Sequence, residues 1–320
     1  MSKTKVLSKY DVSIIIVNYK TATIIKDCIL SITKQTIGIS YEIIVVDNNS
    51  CDDIANVIQS INMNNLHLVQ LEDNLGFGKA NNEGSKYAQG KCLFFLNPDT
   101  LLLNNAISIL FHHIEEKSTV GIIGGNLYDE QMNPALSYRK VYPGIKNELY
   151  EMTCHYVENI IYRKNWCFNH TDSPNRVAYI SGADLMITKM LFDKIEGFSK
   201  EFFMYCEDTD LCLKVHNMGY LIENNPNAKI QHLEGKSTKG KEGLVSEKGL
   251  LMSENGRIEY YKKNINLPTY MLGNIIYILS LNLLSFISYV FQMPSHNAFK
   301  IRKRIVPSLF FEGFIHKIKH

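Results

Sequence analysis

Four short stretches of this chain carry side chains able to do chemistry. Asn97-Pro98-Asp99-Thr100 follows the apolar run Leu93-Phe94-Phe95-Leu96. A carboxylate at a strand's end, stiffened by proline, can ligate a hard divalent cation. Such a cation keeps waters and bridges substrate phosphates, so one or two protein ligands suffice. The other reading makes Asp99 or Thr100 the N-cap of a following helix. Glu207-Asp208-Thr209-Asp210 follows Phe202-Phe203-Met204-Tyr205. Three carboxylates in four positions repel one another, and crowding beside an aromatic wall can lift a pKa into the range of a general base. In a helix's first turn the same residues would simply favour the helix dipole. His232 ends the short stretch Ala228-Lys229-Ile230-Gln231; a lone histidine is usually a packed or surface residue. Residues 74–82 form a glycine-containing turn into a helix, able to hold a phosphate or ribose at the helix N-terminus. They make neither a Walker loop nor a dinucleotide fingerprint.

The surrounding pattern supplies a frame for these stretches. Residues 12–17 are a continuous β-branched run, which predicts a buried parallel strand ending at Asn18-Tyr19. Ile24, Ile25, Cys28, Ile29 and Ile32 then recur at helical spacing. Residues 43–46 predict a second strand ending at Asp47-Asn48-Asn49-Ser50, and Asp52 and Asp53 suit the first turn of another helix. A third strand is predicted over 66–71, a helix over 78–87 and a fourth strand over 92–96. Alternating strands and helices with short polar links mean a parallel sheet covered by helices on both faces. Ligands bind beyond the carboxyl ends of such strands. Those ends carry Asn18, Asp47, Asn74 and Asn97-Pro98-Asp99, so four polar clusters converge on one edge.

The second half is less regular. Residues 126–175 are aromatic and polar with no clear period. Short strands over 178–180 and 185–188 flank Ser181-Gly182-Ala183. Leu211, Cys212, Val215 and Met218 mark a helix ending at Gly219. Residues 233–250 are rich in Gly and Lys and predict a mobile loop.

Composition is that of a globular protein, with 45% hydrophobic and 21% charged residues in 320, and a net charge of +2 that points to no nucleic-acid partner. The charge is uneven. Residues 266–320 hold six basic residues against Glu312 alone, a net +5, leaving −3 for the rest. A basic tail on an acidic body points to an anionic surface. Seven cysteines without metal or redox spacing suit a reducing compartment. The polar first ten residues do not resemble a secretion signal.

In this order the stretches resemble the family 2 glycosyltransferases of GT-A fold, especially their rhamnosyltransferase-like branch. The resemblance rests on residues 13–19, 42–50, 74–82 and 96–100, on Ser181-Gly182-Ala183 and Gly197-Phe198, on residues 202–213, and on His232 with Gly235 and Ser237. It implies an α/β fold with a Rossmann-like, mostly parallel sheet flanked by helices. It implies a nucleotide-sugar site of Val17, Asn18, Tyr19, Asp47, Asn74, Gly76, Asn97, Asp99, Gly182, Ala183 and Glu207, with Asp47 contacting the base. Asp208 looks like the general base. Asp99 and His232 look like protein ligands of Mg²⁺ or Mn²⁺. Asn97 departs from the family's Asp-x-Asp pattern at its first position, which removes one charge from the metal site. Ser199 stands where an acidic residue often follows Gly-Phe.

The implied reaction is an inverting transfer from a nucleotide-diphosphate sugar, dTDP-rhamnose before UDP-sugars, to a glycan or lipid-linked acceptor in surface polysaccharide synthesis. Residues 1–265 would be the catalytic domain, with a nucleotide half to about residue 125 and an acceptor half after it. Residues 266–320 would be a helical membrane-associating segment. No Asp, Glu, Lys or Arg occurs from 264 to 299, and 270–291 is long enough to span a bilayer. Its Asn and Ser residues favour instead a peripheral or monotopic attachment at the cytoplasmic face of the cell membrane. A helix packed in a core is the other reading of that segment, and a homodimer is compatible with it. An inactive nucleotide- or glycan-binding scaffold is the alternative function; the joint presence of Asp99, Asp208 and His232 argues against it. A nucleotidyltransferase would need a basic, glycine-rich loop after the first strand, and Asn18-Tyr19-Lys20-Thr21 is not one.

Overall fold

A computed structural model describes residues 8–233 and 246–319. Gly235, Ser237 and most of the predicted 233–250 loop lie outside the described residues. The chain runs β1 (Tyr10–Asn18), α1 (Ala22–Gln35), β2 (Tyr41–Asp47), α2 (Ile54–Ile61), β3 (Leu66–Gln70), α3 (Phe77–Ser85), β4 (Gly90–Leu96), β5 (Thr100–Leu102), α4 (Ala106–Glu116) and β6 (Val120–Tyr128). It continues with β7 (Tyr138–Arg139), α5 (Ile145–Met152), α6 (Tyr156–Tyr162), β8 (Asn175–Arg176), β9 (Tyr179–Ile180), β10 (Asp184–Thr188), α7 (Lys189–Lys194), α8 (Glu207–Asn217) and β11 (Leu221–His232). Three helices close the chain: α9 (Glu247–Asn264), α10 (Leu267–Val290) and α11 (His296–Lys319).

The main sheet has the order β3-β2-β1-β4-β10-β6-β11-β5, with β8 beside β11. β3, β2, β1 and β4 run parallel, as the buried β-branched runs require. Beyond β4 the sheet is mixed. β10 lies antiparallel between β4 and β6, β6 and β11 are parallel, and β5 is antiparallel to β11. The two faces of the sheet bury separate cores. One packs Ile14, Ile16, Val45 and Phe94 against α1 and α4, and the other packs Ile15, Val46, Phe95 and Leu185 against Phe192, Phe198 and α8.

Two local readings of the sequence are corrected. Thr100 opens a strand, not a helix; the next helix starts at Ala106 behind Asn105. Residues 247–250, predicted as loop, are the first turn of α9, where the Ser246 hydroxyl accepts the Gly249 N–H at 3.0 Å.

A third core joins the C-terminal helices to the rest. Phe202, Tyr260, Tyr261 and Tyr270 are buried together, with Phe310 and Phe314 packed against them. α10 packs on α5 and α11, and α11 on α9.

Candidate active site

The carboxyl ends of β1 and β2 lie side by side, because the register pairs Asn18 with Asp47. Asn18 is buried and saturated. Its Nδ2 donates to Asp47 Oδ1 at 3.0 Å, to Ser50 Oγ at 2.9 Å and to Asp52 Oδ1 at 3.1 Å, while its Oδ1 accepts from the Thr21 hydroxyl at 2.7 Å. Asn18 therefore positions Asp47 rather than offering its own amide to a ligand. Among the described residues the hydrogen bonds to the Asp47 carboxylate all fall on Oδ1, and none reaches Oδ2. Val17 is buried beneath, and Tyr19 is 41% exposed at the rim. Asp52, read from sequence as a helix-turn residue, instead accepts the Ala22 N–H at 3.1 Å and bonds Asn18. Its carboxyl is lowered against burial by hydrogen bonds from Ser50, Ala22 and Asn18.

The loop before α3 is pinned next to these residues. Asn48 Nδ2 donates to Asn74 Oδ1 at 2.9 Å, and that oxygen also accepts the Gly76 N–H at 3.0 Å. Gly76 has φ +83 and ψ 176, a conformation essentially restricted to glycine. A Cβ there would meet the Phe203 carbonyl oxygen at 2.0 Å. The Phe77 N–H donates to that same carbonyl at 3.0 Å. The loop before α3 is thus fastened to the segment leading into α8.

α8 begins at Glu207 after two consecutive left-handed residues, Tyr205 (φ 72) and Cys206 (φ 65). The three carboxylates of the first turn have different surroundings. Asp208 is partly exposed. Its Oδ2 accepts the Gly182 N–H at 2.8 Å, and its Oδ1 accepts the Thr209 N–H at 2.6 Å. Burial nonetheless pushes its pKa upward against those donors. Glu207 is buried with Oε2 unpartnered, and burial first, then the charge of Asp208, raise its pKa to about 8. Burial therefore outweighs the mutual repulsion expected from the sequence. Asp210 is fully buried, bonded by Asn264 Nδ2 at 2.8 Å, the Lys263 ammonium at 3.1 Å and the Ser199 hydroxyl. Ser199, a position to which the sequence lends no weight, thus helps tie α8 to the end of α9.

The remaining candidates meet where β5 pairs with β11. That ladder sets His232 opposite Thr100. His232 Nε2 lies 3.3 Å from Asp99 Oδ1 and 3.3 Å from the side-chain amide of Asn97. The residues are 133 and 135 positions apart in sequence, and only the sheet brings them together. One carboxylate and one imidazole suit a hard-to-borderline divalent cation whose other places are filled by phosphate and water. Among the described residues no group of three or more His, Cys, Asp or Glu is arranged to hold a metal ion. The short segment 181–183 connects both halves of the site: the Gly182 N–H bonds Asp208, and the Ala183 carbonyl accepts the Asn97 N–H at 3.0 Å.

Comparison with known proteins agrees with this architecture. Residues 13–179, just over half of the chain, match the family Glycosyl transferase family 2. The chain is 29% identical over 122 residues to glycosyltransferase GlyG of Streptococcus pneumoniae, covering 37% of this chain and 40% of that one. It is 26% identical over 214 residues to the low-salt glycan biosynthesis hexosyltransferase Agl10 of Haloferax volcanii, covering 64% and 61%. It is 33% identical over 66 residues to an N-acetylglucosaminyl-diphospho-decaprenol L-rhamnosyltransferase of Mycobacterium tuberculosis, covering 21% and 22%. The matched stretches thus span less than two thirds of each relative's length. Among solved structures, the mannosyltransferase PcManGT of Pyrobaculum calidifontis, in complex with GDP-Man and Mn²⁺, superposes with a TM-score of 0.61 at 13% identity, covering 97% of this chain and 87% of that one. The helix-flanked sheet with its polar carboxyl-terminal edge is the GT-A fold, and the chain belongs to glycosyl transferase family 2.

Proposed function

We propose that this chain is an inverting glycosyltransferase that moves a sugar from a nucleotide diphosphate to a hydroxyl of a glycan or lipid-linked acceptor, in the synthesis of a cell-surface polysaccharide. The observation that carries the reading is the joint anchoring of Asp208 and of Asn97, beside the Asp99–His232 pair, on the three residues 181–183. A base and a place for the leaving diphosphate then lie next to one another.

Asp47 Oδ2 accepts from the nucleotide base, with Val17, Asn18 and Tyr19 around it. Asn74 and Gly76 border the ribose and phosphate, and Gly182, Ala183 and Glu207 border the sugar. Asp99 and His232 would hold a divalent cation, which when bound neutralises the charge growing on the diphosphate. An imidazole donor favours Mn²⁺ over Mg²⁺. Asp208 takes the proton of the acceptor hydroxyl as its oxygen bonds to the anomeric carbon. The bond from that carbon to the phosphate oxygen breaks, and its electron pair leaves with the nucleoside diphosphate. One displacement inverts the centre without a sugar–enzyme bond.

Among donors, dTDP-rhamnose comes first and UDP-sugars next. The rhamnosyltransferase of M. tuberculosis supports that choice, and the decaprenol-linked diphospho-sugar in its name supports a lipid-linked acceptor, which in this reading is met at the cytoplasmic face of the membrane. Residues 1–265 form the catalytic domain in this reading, and 266–320 its membrane-associating segment.

A thermal-shift screen of nucleotide diphosphates and sugars, with and without Mn²⁺, tests the reading. Donor binding raises Tm by mass action. EDTA, Asp99→Ala and His232→Ala should each remove the metal-dependent part of the shift. Asp208→Asn should keep the shift and lose transfer by a factor of about a thousand or more. Turnover at the wild-type rate in Asp208→Asn would dismiss the base assignment.

A further inference from the structure

The sequence of α10 reads as an apolar helix diluted by Asn and Ser. The fold sorts these residues unevenly between two faces. The polar and small residues Gly273, Asn274, Ser280, Ser285 and Ser288 are buried against the protein, together with Tyr270 and Leu281. The outward stripe carries Met271, Leu272, Ile275, Leu279, Leu283, Phe286 and Val290, all exposed, with Leu279 at 60% and Phe286 at 65%. Phe291 and Met293 extend it into the turn before α11. Asn282, on the same side, already donates its amide to the Ile278 carbonyl at 2.8 Å. Large apolar side chains facing outward along a helix of roughly 36 Å exceed what a solvated surface tolerates.

The inner face is locked. Arg257 of α9 donates to Asn274 Oδ1 at 2.8 Å and to Glu254 at 3.2 Å, lies 3.6 Å from Glu148 of α5, and stacks 4.0 Å over the Tyr277 ring. Arg302 of α11 meets Glu254 at 3.0 Å. The Tyr277 hydroxyl donates to Glu254 at 2.6 Å, and the Tyr270 hydroxyl to the Phe310 carbonyl at 2.9 Å. Withdrawing α10 to cross a bilayer would strand Arg257 and two buried carboxylates and turn Asn274 and three serines toward lipid. The basic residues of α11 outnumber its one acidic residue, Glu312, and Arg304 is paired with Glu247 of α9. Lys300, Lys303 and Arg304 follow the turn, Lys303 adjoins Asn282 and Ile278 of α10, and Lys317 and Lys319 end α11.

We infer that α10 and α11 form an in-plane docking face for an anionic lipid bilayer, in which α10 lies along the interface on its exposed apolar stripe and does not span. The inference rests on the membrane-facing part of the reading above and not on its transfer chemistry. The catalytic unit then stays wholly on one side of the membrane, held by third-core contacts from Tyr260, Tyr261 and Tyr270.

Flotation of the full chain with vesicles tests this. Wild type should float with phosphatidylcholine vesicles containing phosphatidylglycerol, and less with phosphatidylcholine alone. Leu279→Glu/Phe286→Glu, on the exposed stripe, should lower partitioning at least tenfold. Lys300→Gln/Lys303→Gln should weaken only the anionic-lipid component, roughly fivefold per charge. Leu272→Trp, Leu279→Trp and Phe286→Trp, made singly, should be quenched by brominated lipids at one shallow depth, after subtraction of the Trp166 signal. Graded depths mean a spanning helix and overturn the inference. Absence of flotation overturns it too, as does a concentration-dependent dimer that the glutamate variant dissociates without any vesicle binding. The nucleotide-dependent thermal shift of the same variants is read in parallel. Its loss in wild type would defeat the transferase reading alone, and its persistence in the glutamate variant shows that the fold is intact.

Discussion

Glu207, Asp208 and Asp210 show how far one residue type can be driven apart by its surroundings. All three lie in the first turn of α8, where acidic side chains suit the helix dipole. Asp210 is bonded by the Lys263 ammonium and the Asn264 amide, Asp208 faces the Gly182 N–H, and Glu207 is buried without a partner for Oε2. A carboxyl group raised from 4.5 to about 8 holds its proton better in the folded state than in the unfolded one. Its contribution to stability is full below pH 4.5 and is lost as pH rises toward 8. Glu207→Gln, which cannot ionise, should therefore gain Tm over wild type progressively between pH 5 and 8. Calorimetry across that range checks it, and parallel curves would place the proton elsewhere. The three carboxylates, Asn18, Asp47 and Asp99 were legible as candidates from residue type and position at strand ends. Ser199 and Asp52 were not, because a single serine or a helix-turn aspartate carries no distinguishing pattern.

Among the elements, the turn into α3 is the most constrained. Gly76 has to pass the Phe203 carbonyl with no side chain, and the Phe77 N–H then closes a hydrogen bond to it. Gly76→Ala should destabilise the chain by about 2 kcal/mol or more, from backbone strain and the steric conflict with a main-chain atom. Urea unfolding measures it. Because this contact joins the loop proposed to border the nucleotide to the entry of α8, nucleotide affinity should fall in the same variant. The strands themselves follow from β-branched runs, and β1 to β4 lie where the run lengths predict. β10 was read as a short strand, but its antiparallel insertion between β4 and β6 has no local signature. It depends on which edge of β4 remains open once β1 is paired. β5 was hidden for the same reason: three residues become a strand only because β11 returns beside them.

For the whole molecule, the C-terminal helices are coupled to the rest by charge as well as by aromatic packing. Glu148 and Glu254 are each 2% exposed and share Arg257, and burial raises Glu148 to about 7 even so. Arg257→Met leaves both carboxylates without that partner and should destabilise the fold by about 3–5 kcal/mol. Denaturant unfolding of the full chain gives the value; a change below 1 kcal/mol would mean that α9 and α10 are held by their tyrosines alone.

The amino-acid sequence by itself determined the buried strands, the polar clusters at their carboxyl ends and the identity of the acidic and histidine candidates. Period and residue type are local properties, and a parallel sheet sends successive strand ends to one edge. Three features were decided by tertiary structure. The β5–β11 ladder sets His232 against Asp99, since a histidine 133 residues away has no local reason to be a neighbour. The first turn of α8 gives one carboxylate a backbone donor, one a cation and one neither. The packing of α10 turns most of its small and polar residues inward and most of its large apolar residues outward, because its inner face meets the hydrogen-bonding network around Arg257 as well as the aromatic third core.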